Sequence, residues 1–346
     1  MIANVVVATP TVENTYVTAG QDVPTCELVT GDGPTFSVTD YGAIGDGKAD
    51  DTEAFKNAWA QACQSTGQIP TFLVPAEKTF LLRPLTLMGP CKSSSMQFQA
   101  IHFHNSDGLR VLGLTSVNSP RNHISISACD NADVSNLHLI APGDSPNTDG
   151  VDISASSQIH IYHSFMGTGD DCVAINGGSS FINITDVTCG PGHGISVGSL
   201  GANGARETVE HVHVKNCTFT ETQNGVRIKT WEGGSGFATD ITFEEIIVQN
   251  SQNPIIIDQH YCNGGHSCKA EPSAVQVSNV MYRSIRGTSA SEIAINLDCS
   301  LNFPCDKISL DDVNLSPAAM GKDVTASCKN ARTTTLSTKP SVTCQV

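Results

Sequence analysis

Short segments in which apolar and polar residues alternate recur along most of this chain. One series is rich in β-branched residues and consists of HISIS at 123, GVDIS at 150, CVAIN at 172, GISVG at 194, GVRIK at 225, PIIID at 254 and IAINL at 293. Each segment has the length of a strand and is bounded by Gly, Asn, Asp or Ser, which favour turns. The pattern predicts strands that each turn one apolar face to a core.

A second series of the same kind lies between the members of the first: VSNLHL at 134, IHIYHS at 159, INITDVTC at 182, VHVKNCTF at 212, ITFEEIIV at 241, VSNVMYRSI at 277 and ISLDDVNL at 308. The first series recurs at steps of 22 to 39 residues, and most intervals carry no helical pattern. Such repetition is typical of a solenoid. The predicted fold is therefore all-β, a right-handed, single-stranded parallel β-helix. A β-sandwich is the alternative, but it needs short hairpin turns, whereas these connections return each motif to an equivalent place.

The N-terminal part of the chain has a different pattern. Residues 36–63, FSVTDYGAIGDGKADDTEAFKNAWAQAC, predict a strand, a glycine turn and a helix from Thr52 to Cys63. Asp50 and Asp51 stand just before the helix, where carboxylates accept hydrogen bonds from free N–H groups and meet the positive end of the helix dipole. This short helix would cap the first coil. We expect an N-terminal extension over 1–34 and one β-helix domain over 35–346.

Charge and cysteine content limit the setting in which the protein works. The 346 residues include 34 acidic and 19 basic side chains, for a net charge of −15, which argues against nucleic acid and anionic membrane as partners. No run of about 18 apolar residues is present to span a membrane. The start, MIANVVVATP, lacks the basic residues and long apolar stretch of an ordinary signal peptide. Thirteen cysteines nevertheless indicate an oxidising compartment, so we expect a secreted, extracellular protein. We also expect a monomer.

Several cysteines occur in close pairs that predict local disulfides: Cys172/Cys189, Cys262/Cys268, Cys299/Cys305 and Cys328/Cys344. The odd total leaves at least one free thiol, and Cys129 and Cys217 are expected as buried thiols within strands. The segment CNGGHSC at 262–268 could instead bind zinc, but it lacks C-x2-C spacing. We expect neither a metal nor another cofactor.

Acidic residues precede two consecutive members of the first series. Asp149 stands immediately before GVDI, and Asp170 and Asp171 stand immediately before CVAI. Equivalent positions on successive coils of a β-helix lie about 4.8 Å apart. Stacking would therefore bring three carboxylates together at one edge of one sheet, and the GHG of the next coil would add His193.

The following coils add positive charge to this edge. In GVRIK, Arg227 and Lys229 share a face while Ile228 points into the core, and the coil after it ends with Tyr261. The alternative is a solvated ladder in which acids simply pair with cations. We favour a functional site because the whole set falls in register on one series.

This combination of groups indicates glycoside hydrolysis. That reaction uses one protonated carboxyl to donate to the leaving oxygen and one ionised carboxylate to act on water or on the sugar. Crowding of like charges raises the pKa of one member and keeps it protonated near working pH. The two cations suit a substrate that carries its own carboxylate.

Four motifs in this order and spacing, NTD at 147–149, GDD at 169–171, GHG at 192–194 and RIK at 227–229, resemble the polygalacturonases of glycoside hydrolase family 28. The segments ISVGSLG, NGVRIKTW and IRGTSA are most similar to pollen-type exopolygalacturonases of plants. The resemblance implies a parallel β-helix that hydrolyses α-1,4 linkages of galacturonan with inversion and without metal.

The resemblance also implies a role for each residue of the site. Asp170 corresponds to the general acid, and Asp149 with Asp171 corresponds to the pair that activates water. His193 would tune or orient the acid. The substrate contacts implied by the family fall on the two cations and the phenol, Arg227, Lys229 and Tyr261.

The chain departs from the family pattern between GPCKSSSMQFQ at 89–99 and AIHFHNSDGLRVLGL at 100–114. Family members usually carry several dozen more residues there, equivalent to one or two coils. Loss of whole coils can leave a β-helix continuous, because each coil contacts only its neighbours. The motif residues all lie beyond this point, so the chemistry can survive while the groove is shortened.

Other functions remain open from the sequence. An endo-acting polygalacturonase differs only in its products, and a pectate lyase would need calcium-binding acids and an arginine base, which GHG and RIK do not favour. A catalytically impaired pectin-binding or antigenic wall protein is the non-enzymatic alternative. His211 and His213 are expected to belong to a surface ladder, and Trp231 could either stack on sugar or cover the end of the solenoid.

Overall fold

The computed structural model describes residues 33–66, 70–75, 78–81, 91–92, 97–99, 101–119, 121–262 and 271–345. Most of the predicted N-terminal extension, the predicted disulfide partner Cys268 and the first residue after the predicted deletion lie outside these ranges. Among the described residues, no helix has the length and apolar character needed to cross a membrane.

Strands dominate the described part of the chain. The helix α1 (Thr52–Gln64) and two 3-10 helices (Val38–Tyr41 and Ala202–Gly204) are the helical elements there. The strands of the N-terminal part are β1 (Thr35–Ser37), β2 (Asp46–Asp50), β3 (Thr71–Leu73), β4 (Thr79–Leu81), β5 (Gln97–Gln99), β6 (Ile101–His104), β7 (Arg110–Leu112), β8 (Thr115–Val117), β9 (Ile124–Ser127), β10 (Asp130–Ser135) and β11 (His138–Ile140).

The remaining strands are longer and carry both repeat series: β12 (Val151–Ser154), β13 (Ser157–Gly167), β14 (Val173–Ile175), β15 (Ser179–Cys189), β16 (Ile195–Leu200), β17 (Arg206–Lys215), β18 (Thr218–Thr220), β19 (Asn224–Thr230), β20 (Ser235–Ser251), β21 (Asn253–Asp258), β22 (Gln276–Ser289), β23 (Ile293–Asp298), β24 (Cys305–Pro317), β25 (Thr325–Lys329) and β26 (Ala331–Lys339).

The two repeat series form two separate parallel sheets. A nine-stranded sheet runs in the order β25-β23-β21-β19-β16-β14-β12-β9-β6 and contains every member of the first series. A fifteen-stranded sheet contains every member of the second series, with a main path β1-β3-β5-β8-β11-β13-β15-β17-β20-β22-β24-β26. Each strand pairs with its equivalent in the next coil, so the predicted parallel β-helix is confirmed.

Apolar residues of successive coils stack inside the solenoid. In the nine-stranded sheet one such column is fully buried: Ile153, Ile175, Val197, Ile228, Ile257 and Leu297. Burial of each such side chain contributes roughly 1.5–3 kcal/mol. Ile228 therefore points inward, as expected, and its neighbours Arg227 and Lys229 are directed to the other face.

The long strands of the second sheet bend at left-handed residues, which the sequence analysis did not predict. In β15, Asp186 has a φ of 54°, and the equivalent residues His163 and Asn216 have φ values of 49° and 51°. Buried positions on either side of this bend are three residues apart instead of two. Asn, Asp and His tolerate the left-handed region better than most residues do. The same column continues through Glu245 and Ser284, which also have positive φ values.

The two aspartates before α1 are structural, but they act on different groups. Asp50 Oδ1 accepts a hydrogen bond from the Thr52 N–H at 3.1 Å. Asp51 is the N-cap residue, yet its carboxylate makes no cap bond and instead accepts the Ile44 and Gly45 N–H groups at 2.7 and 3.2 Å. One carboxylate therefore caps the helix and the other holds the preceding glycine turn.

Four disulfides lie within the described residues: Cys63–Cys91, Cys172–Cys189, Cys299–Cys305 and Cys328–Cys344. The last three were predicted, whereas Cys63–Cys91, which ties α1 to a later segment, was not. Cys262 is disulfide-bonded, and its predicted partner is outside the described ranges. Cys129 and Cys217 are free and buried, as expected.

Candidate active site

The predicted acids and the histidine lie on consecutive loops at one edge of the nine-stranded sheet. Each of these loops places its last acidic or imidazole side chain two residues before a strand: Asp149, Asp171 or His193. The three strands begin at Val151, Val173 and Ile195, and these three residues pair in register. The Gly150 N–H donates to the Asp171 carbonyl at 2.9 Å, and the His193 N–H donates to the Asp170 carbonyl at 2.8 Å. The backbone of each loop is thus fixed by the next coil.

Two motif glycines are required by this close stacking. A Cβ at Gly169 would lie 2.0 Å from the Ser145 carbonyl oxygen, a distance that the backbone would have to relieve. Gly194 has a φ of +87°, and a Cβ there would lie 2.2 Å from the Asn224 carbonyl oxygen. The glycines of GDD and GHG therefore allow neighbouring loops to approach each other.

A disulfide anchors the loop that carries the aspartate pair. Cys172 directly follows Asp171 and is bonded to Cys189, 17 residues later. Closing a loop of this size stabilises a fold by about 3 kcal/mol in the chain-entropy account. The aspartate pair is thereby held between a covalent link and the strand β14.

Asp171 is clamped by three side chains from later coils. Its carboxylate accepts hydrogen bonds from Ser196 Oγ at 2.9 Å, Arg227 Nη2 at 2.6 Å and Lys229 Nζ at 2.8 Å. Arg227 Nε also donates to Ser196 Oγ at 2.8 Å. Asp171 is 1% exposed, and the two cations are 9% and 8% exposed. Buried charges require such partners, so Asp171 is the counter-charge of both cations.

Asp170 is paired with His193 and remains accessible. His193 Nδ1 lies 2.9 Å from Asp170 Oδ1, and the two side chains are 33% and 25% exposed. Burial opposes ionisation of Asp170, but the hydrogen bond and charge of His193, with the charge of Lys229, outweigh it and lower the pKa of Asp170. Asp170 is therefore ionised in the unliganded site, and His193 Nδ1–H donates to it.

Asp149 has the opposite electrostatic environment. Burial, followed by the charges of Asp152, Asp170 and Asp171, raises the pKa of Asp149 to about 8. The main causes that raise its pKa are burial and neighbouring carboxylates. Asp149 therefore carries a proton at neutral pH, and the carboxylate cluster has one protonated member, as like-charge crowding predicts.

Tyr261 lies beside the cations, where the sequence analysis placed it. The ring centroid is 5.3 Å from Lys229 Nζ, and the Tyr261 N–H donates to the Thr230 carbonyl at 3.2 Å. Trp231 packs edge-on against the Tyr261 ring, with centroids 5.4 Å apart. All seven predicted site residues are thus gathered on consecutive coils.

Two residues of this site were missed by the sequence analysis. Asp152 and Ser196 occupy the outward column of the sheet that also contains Ala174 and Arg227. The signal was present, because aligning GVDIS, CVAIN, GISVG and GVRIK puts these residues at the same position of the repeat. Both residues lie within the strands, whereas the predicted acids lie just before them.

Two groups among the described residues bring three potential metal ligands within 4.8 Å of one another: Asp170, Asp171 and His193, and Asp258, His260 and Asp298. In the first group, Arg227 and Lys229 supply the positive charge that faces Asp171. In the second, the hydrogen bond from His260 to Asp298 is the largest cause that raises the pKa of His260.

His211 and His213 belong to neither group. The His211 ring stacks on Phe181 with centroids 4.6 Å apart, and His213 Nε2 is 3.1 Å from Glu244 Oε1. These contacts form a surface ladder, as expected.

Known proteins share both the sequence pattern and the fold. The family model Glycosyl hydrolases family 28 matches residues 92–338. A probable polygalacturonase of Arabidopsis thaliana is 41% identical, with 89% of this chain and 80% of that protein covered. A polygalacturonase of Chamaecyparis obtusa is 40% identical, with 86% of this chain and 70% of that protein covered. The crystal structure of polygalacturonase from Erwinia carotovora has a TM-score of 0.61 at 17% identity, with 93% of this chain and 100% of that chain covered, which supports the fold.

The alignment with the Arabidopsis protein extends over 365 positions, more than the 346 residues of this chain. The relative therefore has residues without a counterpart here, although the alignment length does not locate them. The family match covers all four motifs that carried the resemblance. The chain belongs to glycosyl hydrolases family 28 and is a glycoside hydrolase.

Proposed function

We propose that this glycoside hydrolase is a polygalacturonase, which cleaves the α-1,4 bonds of galacturonan. The observation that carries the proposal is the buried Arg227–Lys229 pair, which is bonded to Asp171 next to the partly exposed Asp170. A protein with a net charge of −15 can bind an acidic polymer only where its surface is locally basic, and this pair supplies that charge. The polygalacturonase names of the related proteins support the same substrate.

The substrate carboxylate would compete with Asp171 for the two cations. A guanidinium binds a carboxylate through two parallel hydrogen bonds, and an ammonium adds a point charge. Tyr261 would line the same subsite, because it lies against Lys229. An uncharged or fully methyl-esterified sugar would not displace Asp171 and would bind weakly.

Hydrolysis consumes one water and needs one proton donor and one acceptor. In the proposed reaction, Asp170 donates its proton to the glycosidic oxygen as the bond to the anomeric carbon breaks. A water oxygen bonds to that carbon and gives its proton to Asp149, while His193 orients Asp170. Asp171, whose oxygens face the cations, supports the activation of water by holding these charges in place.

The unliganded enzyme has the proton distribution that this reaction leaves behind. Asp149 is protonated and Asp170 is ionised, so a proton has to return to Asp170 before the next turnover. Lys229 is one of the groups that keep Asp170 ionised. A substrate carboxylate that neutralises Lys229 would raise the pKa of Asp170 and favour this return.

We also propose chain-end action and inversion of the anomeric configuration, both on the basis of the motif resemblance. One carboxylate oxygen of Asp170 lies within 4.8 Å of one carboxylate oxygen of Asp171. This is closer than the separation of about 6.5–9.5 Å between the two carboxyl groups that accommodates water in inverting enzymes. The attacking water is therefore assigned to the space between Asp170 and Asp149. The disulfides support an extracellular location, and we propose a monomer as the active unit.

The direct test is release of reducing ends from polygalacturonate by the wild-type protein and by Asp170→Asn. Asp240→Asn, an exposed change in the fifteen-stranded sheet, is the matched control. The proposal expects activity in wild type and control and its loss in Asp170→Asn. Unsaturated products that absorb in the ultraviolet would identify a lyase instead, and an inactive wild type would leave a binding protein.

Product analysis resolves the finer claims in the same digest. Galacturonic acid as the first product indicates chain-end action, whereas a ladder of oligomers indicates endo action. Proton NMR during the first minutes of reaction shows whether the new reducing end is the β-anomer, as inversion requires.

A substrate with an activated leaving group separates the two carboxyl roles. An aryl α-galacturonide needs little protonation of its leaving group, so Asp170→Asn should retain far more of its activity on this substrate than on polygalacturonate. Asp149→Asn should be impaired equally on both. The reverse pattern would exchange the two roles.

A further inference from the structure

Asp152 is a fourth carboxylate at the site, and no step of the proposed reaction uses it. It lies on β12, three residues after Asp149, and its side chain is partly buried. In the outward column of the sheet it precedes Ala174, whose small side chain separates it from Ser196 and Arg227. Asp152 therefore faces the same side as the clamped Asp171.

The preceding coil holds Asp152 and Asp149 together. Asn122 Nδ2 donates to Asp152 Oδ2 at 3.0 Å. The next residue, His123, donates its backbone N–H to the Asp149 carbonyl at 2.7 Å. The Asn122 carbonyl in turn accepts a hydrogen bond from Ser119 Oγ at 3.1 Å. One short, hydrogen-bonded segment thus fixes the carboxylate of Asp152 and the backbone of Asp149.

We propose that Asp152 is a positioning residue of the reaction, whose charge beside Asp149 keeps the shared proton on that carboxyl between turnovers. The inference rests on the proposed function, because the shared proton is the one that the hydrolysis consumes and regains. Asp152 itself neither donates nor accepts that proton, and it is not required to touch the substrate.

The electrostatics of the cluster support this assignment. After burial, the charge of Asp152 is the largest cause that raises the pKa of Asp149. Burial, then Asp171, raises the pKa of Asp152 itself to about 6, with Asp170 acting in the same direction. Lys229 and Arg121 oppose this rise. Asp152 is consequently ionised at neutral pH, where Asp149 is protonated.

The proposal predicts the pH profile of Asp152→Asn. The cluster is active while it retains one proton, so the alkaline limb of kcat/KM reports loss of that proton from the group as a whole. Removing the negative charge of Asp152 lowers the pKa of Asp149. The alkaline limb should therefore move to lower pH by about one pH unit. Asn122→Ala, which leaves Asp152 in place without its hydrogen bond, should shift the limb in the same direction by less.

Infrared titration provides a readout that does not depend on turnover. The neutral-carboxyl band that disappears in Asp149→Asn identifies the group, and its titration midpoint should fall in Asp152→Asn but not in the exposed control Asp240→Asn. A midpoint and alkaline limb equal to those of the wild type would overturn the proposal, as would a raised KM with an unmoved limb. If the midpoint moves but the wild type does not hydrolyse polygalacturonate, the proposed function fails and the electrostatic assignment stands.

Discussion

Three Asp-Asp dipeptides occur in the described structure: one before α1 at 50–51, one before β14 at 170–171 and one within β24 at 311–312. The first two have different consequences. The first pair accepts hydrogen bonds from backbone N–H groups two to seven residues away. The second pair contacts charged or polar side chains 23 to 58 residues away. Local partners complete a turn, whereas distant ones assemble a site.

The difference follows from what comes next in the chain. A helix presents free N–H groups at its start, so an aspartate there finds its partners locally. A strand of a parallel β-helix presents its neighbours from other coils, so an aspartate before it meets side chains that the sequence separates widely. The meaning of an acidic pair therefore depends on the element that follows it.

The largest expected effect comes from removing the charge of the clamped member, Asp171→Asn. Arg227 and Lys229 would remain buried without their counter-charge, and breaking such an arrangement costs about 3–5 kcal/mol. Denaturant unfolding should show this loss of stability, and turnover should fall by about two orders of magnitude or more. A variant as stable as the wild type would show that the two cations find other partners.

Asp170→Asn should separate catalysis from stability. Asp170 is partly exposed and paired with His193, so the substitution leaves no charge buried alone. We expect turnover on polygalacturonate to fall by at least about two orders of magnitude while the free energy of unfolding changes little. A near-normal rate would remove Asp170 from the proposed mechanism.

The first pair should show the reverse behaviour. Asp51 is 2% exposed, and Asp51→Ala would leave the Ile44 and Gly45 N–H groups without their acceptor, at a cost of about 1–3 kcal/mol. Asp50→Ala should cost about 1 kcal/mol, as loss of a capping bond does. Activity per folded molecule should stay unchanged in both, and a change in kcat would contradict the purely structural role of this pair.

Asp149→Asn should stabilise the protein as it abolishes activity. The pKa of Asp149 is raised from 3.8 to about 8, so between these pH values the folded protein binds more protons than the unfolded chain. Stability from this group is therefore lost as pH rises through that window. The midpoint temperature of the variant should exceed that of the wild type by an amount that grows from about pH 5 to about pH 8. A constant difference would contradict the raised pKa.

The smallest effect is expected from chelation. Because Arg227 and Lys229 already balance Asp171, treatment with a chelator should leave hydrolysis of polygalacturonate unchanged. Loss of activity that returns with added divalent cation would show that the second pair needs a metal as well as its side-chain partners.

Sequence alone predicted the solenoid because period-two alternation identifies strands and the recurrence of turns identifies coils. It predicted the assembly of Asp149, Asp170, Asp171 and His193 because equivalent positions stack. It did not predict that Ser196, Arg227 and Lys229 all bind Asp171. Alternation predicts the face on which a strand residue lies, but it does not predict which strand residues a side chain of the preceding loop will contact. Crowding predicted one protonated acid, but burial and the charges of the neighbouring carboxylates decided that it is Asp149.

Other features depended on geometry that the pattern does not contain. The left-handed column at His163, Asp186 and Asn216 breaks the alternation by a single residue, which a strand pattern tolerates. The Cys63–Cys91 disulfide joins a helix to a segment without a recognisable repeat, so no register was available to pair them. The disulfides between cysteines close in sequence, by contrast, could be predicted from that proximity alone.

The central claim is that stacked coils gather Asp149 and Asp170 at the sheet edge where the Arg227–Lys229 pair holds the carboxylate of the reacting sugar. A crystal structure of Asp170→Asn with a short oligogalacturonate tests it most directly. The account predicts one sugar carboxylate on Arg227 and Lys229, with the adjoining glycosidic oxygen within hydrogen-bonding distance of the side chain at 170. An oligosaccharide bound elsewhere, or with its carboxylates away from both cations, would contradict it.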